Sequence, residues 1–497
     1  MGAVAAEAAP WPAAEPDAAR RVTLLWLVIG AVLFLVLALA GLTVRLSQAV
    51  QDLLPPRVLY ALLTFHGTGM VGVALTVTAA VFWYVMSRAL PLSPAVMRAV
   101  LGLTLGGVVL IVLSTLFGFG TGWTFLHPLP QTPGPTPGWP RWTAGTFLVG
   151  LALVVVAFTL WCLDYLRAGI SRFGSLGRML GFDILLGRRE PGPDTTDPSV
   201  IAGTVVSIGG LAAAVPGALV VGLMLANLAA PGFSVNALLA KNLIFFAGHM
   251  LVNVQIYLGA GLAYAILPEY AGRPWKASRV LVLAWLVTSV FVMIAFFHHL
   301  YQDFAQPLAA QVIGQVGSYG VAFPPIVVTI FGGLLLLYRS GIRWRPAPLF
   351  VLAAFAGWAI GGWAAVIDST PAVNQYLHNT VWVPAHFHTY MALGVVFFLV
   401  GAVYHVLPQV TGRSLSDRVG MGAAALVILG GWGLVAMWYL SGILGQPRRY
   451  AITLEGLEGT AAAAVGFAAL AAVGVALMFG DFVRVVAARR RPLGPAT

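Results

Sequence analysis

Apolar residues along this chain fall in long unbroken runs, with the charged residues gathered between them. Twelve runs exceed the roughly 18 residues that mark a membrane-crossing helix. They begin near Val22, Arg57, Ala95, Thr143, Val200, Asn242, Val280, Val312, Leu349, Thr380, Met421 and Gly459. The pattern predicts an all-α polytopic membrane protein with twelve transmembrane helices and no separate soluble domain. Residues 1–19, rich in Ala and Pro, are expected as a disordered cytoplasmic tail, 20–491 as the membrane domain and 492–497 as a second tail. The first run is too long and starts too late for a cleaved signal peptide, and it leads into a continuous bundle.

Composition agrees: 60% of residues are hydrophobic and 9% charged, with a mean hydropathy of +0.91. Cys162 is the one cysteine, which excludes a disulfide, an iron–sulfur cluster, a thiolate metal site and a CxxCH heme attachment within the chain. Charge then orients the bundle. Twelve spans put both termini on one side, and 21 of the 27 basic residues fall there, including the cluster from Arg167 to Arg189. The other side holds six: Arg45, Arg57, Arg141, Lys241, Arg448 and Arg449. The positive-inside rule places both termini in the cytoplasm of a prokaryotic cell, in its plasma membrane. The net charge of +11 follows from this asymmetry, so a nucleic-acid partner is not needed.

Orientation fixes the depth of the histidines. His386 and His388 lie in one apolar run, two residues apart. On a helix they leave opposite faces, about 200° apart. They cannot share one ion, but they can serve two cofactors on either side of one helix. An ionisable residue inside a membrane span is a functional candidate in its own right. His66, His249, the pair His298–His299, and His386 and His388 come from four helices and share one layer, roughly 10–15 Å below the outer surface at 1.5 Å per residue. Imidazoles without thiolates suit heme iron, copper or non-heme iron. His249 with His298 and His299 makes a three-histidine metal site with a position open for substrate. His66 can pair with one face of the His386/His388 helix across a heme with two axial histidines. The other face gives a second heme one histidine and an open position.

The segments LTFHGTGM, FFAGHMLVN, FFHHLYQDFAQP, LHNTVWVPAHFHTYMALGVVFFLVGAVYHVLPQVTG, WTFLHPL and QPRRY closely resemble subunit I of the heme–copper oxidase superfamily. The likeness runs through essentially all twelve helices and is nearest to the B-type oxidases. It implies that His66 and His388 ligate a low-spin heme and His386 a high-spin heme. His249, His298 and His299 would hold a second metal, copper in oxidases or iron in nitric oxide reductases. It also implies that Arg448 and Arg449, the outlying pair on the arginine-poor side, contact heme propionates, with Asp368, Asn374 and His378 in the same network. With a single cysteine the chain cannot build a binuclear copper centre. An electron-donating subunit II with a cupredoxin-like or cytochrome domain is expected on the outer face, fed by cytochrome c or a blue copper protein.

Departures from the family choose the reaction. Oxygen-reducing A- and B-type members carry a tyrosine four residues after the first metal-site histidine. Here that position is Asn253, on the His249 face of the helix. Asparagine cannot give up an electron. Tyr257 and Tyr301 are candidates to stand in for the tyrosine. No acidic residue lies deep in a span, and the eighth span is apolar around Pro324–Val328. Supply of protons from the cytoplasm is therefore expected to be poor, with Tyr264 and Thr329 the nearest hydroxyls. Reduction of nitric oxide to nitrous oxide is the expected reaction and reduction of dioxygen to water the alternative. A heme-bearing sensor, or a non-catalytic subunit, is a third reading, disfavoured by the intact three-histidine site.

Overall fold

The computed structural model describes residues 16–51, 53–130, 138–189, 196–303 and 305–488. Twelve helices are long and apolar enough to cross a membrane. They are α1 (Pro16–Ala49), α2 (Pro56–Met86), α3 (Pro94–Leu116), α4 (Arg141–Phe173), α5 (Pro198–Ala229), α6 (Ala237–Ala271), α7 (Arg279–Leu300), α8 (Ala309–Leu337), α9 (Pro346–Asp368), α10 (Trp382–Thr411), α11 (Asp417–Ile443) and α12 (Glu458–Ala487). Most begin a few residues before the first residue of the apolar run, because the capping chemistry lies upstream of it. Ser93, Asp197, Asn236, Ser278 and Ser416 each accept a backbone N–H at an N-cap, satisfying donors the helix cannot. Pro opens α2, α3, α5 and α9, where its missing N–H costs nothing.

One boundary is corrected. Residues 16–19 are the first turn of α1, with Ala19 buried, and not part of a disordered tail. The rest of that expected tail, and 489–497 at the other end, lie outside the described residues.

Lipid offers no water-driven force between helices, so small residues set how closely they approach. A Cβ on Gly107 of α3 would lie 2.6 Å from the Gly150 carbonyl oxygen of α4. One on Gly430 of α11 would lie 2.6 Å from the Phe467 carbonyl oxygen of α12. The centre of the bundle is formed by α2, α6 and α10, which are largely buried, whereas α12 is mostly exposed.

Three irregularities interrupt the long helices, two of them at or next to histidines. The α7 helix tightens into a 3-10 turn over Phe296–Leu300. The α8 and α10 helices widen into π turns at Val327–Phe331 and Met391–Val396. Such turns inside long helices are common at functional sites. Among the described residues the one β-bridge joins Thr380 to Pro447, tying the start of α10 to the α11–α12 loop.

Candidate functional site

All six membrane-level histidines line one internal cavity of about 450 Å³. On its first side the His66 and His388 rings lie 6.2 Å apart, centre to centre, and within 10° of parallel. Each is fixed through Nδ1: His66 on the Leu37 carbonyl at 2.8 Å, His388 on the Pro384 carbonyl at 2.8 Å. Both Nε2 atoms are thereby left free. An ion held between two imidazoles at about 2 Å from each nitrogen separates the ring centres by roughly 6 Å, so the pair fits a heme with two axial histidines. Gly41 makes room for this: a Cβ there would lie 2.4 Å from His66 Cε1. Trp438 packs edge-on against His388 at 4.7 Å.

On the second side, His249, His298 and His299 bring one ring nitrogen each within 4.8 Å of one another. The 3-10 turn places His298 and His299 with ring centres 4.0 Å apart, and His249 faces them at 5.5 and 5.6 Å. Their hydrogen bonds identify the free nitrogens. His298 Nδ1 meets the Ala295 carbonyl at 2.6 Å and Ser318 Oγ at 3.0 Å, leaving Nε2. His249 Nε2 lies 3.3 Å from the Asn253 amide nitrogen, and its Nδ1 is buried with no hydrogen-bond partner. An orphaned buried nitrogen beside two other imidazoles is what a bound metal ion satisfies. His386 is also on the cavity wall, two residues before His388 on α10, a spacing that sends the two side chains to opposite faces of a helix.

Asn253 is at the site, as its spacing from His249 requires. Its amide donates to the His249 carbonyl at 2.8 Å, and its oxygen accepts from the Tyr390 hydroxyl at 3.0 Å. Tyr257 also lines the cavity, with its hydroxyl a longer 3.5 Å from the same oxygen. Tyr301 is not brought in. It follows the 3-10 turn but packs on α8, where a Cβ at Gly314 would lie 2.7 Å from its hydroxyl, and it is not on the cavity wall. Tyr390 was missed by the sequence reading. It stands four residues after His386, on the same helix face, and that spacing was the available signal. Arg45 was missed as a site residue too: it is 7% exposed and lines the cavity, with Nε unpartnered.

At the outer rim, Arg448 and Arg449 line the cavity. Arg448 is held by Asn379, and Arg449 by Thr124 and by the Tyr60 hydroxyl, which donates to its carbonyl. Among the described residues neither forms an ion pair with a carboxylate. Burial, reinforced by the neighbouring Arg449, pushes the Arg448 guanidinium down to about 10; burial also lowers Arg449. Two cations at the rim, Arg448 half-buried and Arg449 exposed and neither in an ion pair, suit the carboxylates of a bound heme. Asp368 and His378 stand back from the cavity wall. Asp368 Oδ1 is buried without a partner, and burial, helped by Arg448, pushes His378 down to about 3. Asn374 joins this layer to the metal site, donating to the Asp368 carbonyl at 2.6 Å and the His298 carbonyl at 3.5 Å.

Few polar groups lead from the cavity toward the end of the bundle that carries Asp164, Glu269 and Asp481. The Tyr264 hydroxyl and Thr329 Oγ1 are 2.6 Å apart, and Trp285 donates to Tyr264 at 3.1 Å. Asp164 and Asp481 are bound to Arg167 and Arg484, and Glu269 lies 3.6 Å from His405.

Comparison with known proteins agrees with this arrangement. Residues 21–482 match the family described as cytochrome c and quinol oxidase polypeptide I. Cytochrome c oxidase subunit 1 of Thermostichus vulcanus is 26% identical over 86% of this chain and 76% of its own length. The Bacillus subtilis protein of the same description is 24% identical over 92% and 73%. A heme-copper oxidase subunit I+III from Aeropyrum pernix is 26% identical over 43% of this chain, which spans only 26% of that longer protein. A solved heme-copper terminal oxidase dimer superposes with a TM-score of 0.80 at 20% identity, covering 96% of this chain and 85% of that one. With a family match that runs from the first helix to the last, and six histidines gathered on one cavity, this chain belongs to the heme–copper oxidase subunit I family.

Proposed function

We propose that this chain is the catalytic subunit of a membrane-bound respiratory reductase that converts nitric oxide to nitrous oxide. The observation that carries the reading is Asn253. It holds the place beside His249 where an electron-donating side chain would be expected for dioxygen, and it offers an amide instead. When bound, a low-spin heme, a high-spin heme and a non-heme metal, iron or copper, would supply electron transfer and a place for the gas to bind and be reduced. His66 and His388 would hold the first, His386 the second, and His249, His298 and His299 the third. The Asn253 amide shapes the space between the last two. Arg448 and Arg449 anchor carboxylates at the outer rim. Joining two molecules of nitric oxide takes two protons and two electrons and releases nitrous oxide and water, a demand that the sparse hydroxyls around Tyr264 and Thr329 can meet.

Dioxygen reduction is the second reading. Two observations favour it: the relatives named above are all described as oxidases, and the Tyr390 hydroxyl reaches the site from α10. In either case electrons come from a partner subunit with a cupredoxin-like or cytochrome domain, docked on the outer face near His66 and His388. Cytochrome c or a blue copper protein is the donor, and both termini of this chain face the cytoplasm. Anaerobic turnover of the purified complex with nitric oxide tests the proposal. Nitrous oxide should form in a 1:2 ratio to the nitric oxide consumed. Consumption without nitrous oxide would count against it.

A further inference from the structure

We infer that Tyr390 is a positioning residue that locks the Asn253 amide in one orientation at the metal pocket. The inference rests on the reading that a gas is reduced at this site, whichever gas it is. Three observations carry it. The Tyr390 hydroxyl donates to Asn253 Oδ1 at 3.0 Å. The Asn253 amide nitrogen then has a single way to face: toward the His249 carbonyl at 2.8 Å and His249 Nε2 at 3.3 Å. Finally, the tyrosine ring is seated on Gly361 of α9, where a Cβ would lie 3.1 Å from Tyr390 Cδ2, and the helix widens into its π turn immediately after it.

The result is a chain of bonds from α10 to α6: phenol to amide, amide to the backbone of a metal-site histidine. Without the phenol, nothing else holds the amide oxygen closely, since Tyr257 is 3.5 Å away. The carboxamide would then be held only through its N–H to the His249 carbonyl and could swing about that bond. A ligand bound between His386 and the three-histidine site would meet two amide positions in place of one.

Infrared spectroscopy of the fully reduced complex with carbon monoxide reads this directly and needs no turnover of either gas. In the unaltered protein the C–O stretch is expected as one narrow band. In Tyr390→Phe it should split or shift, reporting two amide orientations, while heme content and the visible spectrum stay as they were. Turnover should fall about tenfold, the loss associated with one hydrogen bond to a buried polar group, chiefly in kcat. In an Asn253→Leu background, Tyr390→Phe should change neither the band nor the rate further, because the two side chains act as a unit. If Tyr390→Phe fails to assemble, Gly361→Ala, which crowds the ring at 3.1 Å and displaces the same hydroxyl, should move the band in the same direction. An unchanged band in the available single variant, or effects that add in the double variant, would overturn the inference. A failure of nitric oxide turnover alone would leave the carbonyl result standing and count only against the proposed reaction.

Discussion

At the scale of single residues, chemistry is set by which nitrogen of each imidazole is free. His298 commits Nδ1 to Ala295 and Ser318, whereas His249 keeps Nδ1 unpartnered. His298→Ala should therefore lose the non-heme metal while keeping both heme absorption bands. Gas reduction should fall by at least roughly 100-fold, since even outer-layer changes around a metal cost 10–100-fold. Metal analysis beside the visible spectrum checks it. His378 makes a different prediction. Burial holds it neutral in the fold, with a pKa of about 3, against roughly 6.5 unfolded. Between those values the unfolded chain binds more protons, so stability is fullest above about pH 6.5 and declines as pH falls toward 3. The slope from this one group is at most about 1.4 kcal/mol per pH unit. His378→Gln should flatten thermal stability between pH 6.5 and 5 relative to the unaltered protein, and an equal slope in both would contradict the assignment. The presence of Asn253 at the site was legible in sequence from the i+4 rule. The exclusion of Tyr301 was not, because a 3-10 turn advances side chains differently from an α-helix, and that turn leaves no mark in the apolar pattern.

At the scale of elements, α10 carries the design. His386 and His388 are spaced to leave its opposite faces, Tyr390 follows one turn after His386, and a π turn comes next before the α-helix resumes at Phe397. The two-residue spacing was enough to read two cofactors on one helix. What spacing could not show was who meets Tyr390, since its partner Asn253 comes from a distant segment. Packing of α1 against α2 gives a sharp test. Gly41 is the floor under His66, and a methyl there would intrude to 2.4 Å. Gly41→Ala should displace the imidazole and convert the low-spin spectrum to high-spin or lose that heme, with the three-histidine metal retained. Visible and magnetic circular dichroism spectra distinguish the outcomes, and an unperturbed low-spin signal would refute the placement of His66.

At the scale of the whole molecule, twelve apolar runs became twelve helices, and the helix starts moved only as far as their caps and prolines. That much is legible because hydropathy and length are local properties. The cavity is not: its wall draws residues from α1 to α12, among them Arg45 and Ala471, which no window of sequence contains together. The uneven distribution of arginines makes a global prediction. Reporter fusions at either terminus should respond from the cytoplasm, and tags in the α11–α12 loop near Arg448 only from outside; the reverse would invert the orientation. Asn253 sits at the centre of this architecture, and it is the reason to place nitric oxide ahead of dioxygen. The most direct measurement supplies both gases, in separate runs, to one reduced preparation of the complete complex and compares turnover per heme. Rapid nitrous oxide formation with slow dioxygen consumption is the predicted result. Rapid dioxygen reduction to water with no nitrous oxide from nitric oxide would contradict it.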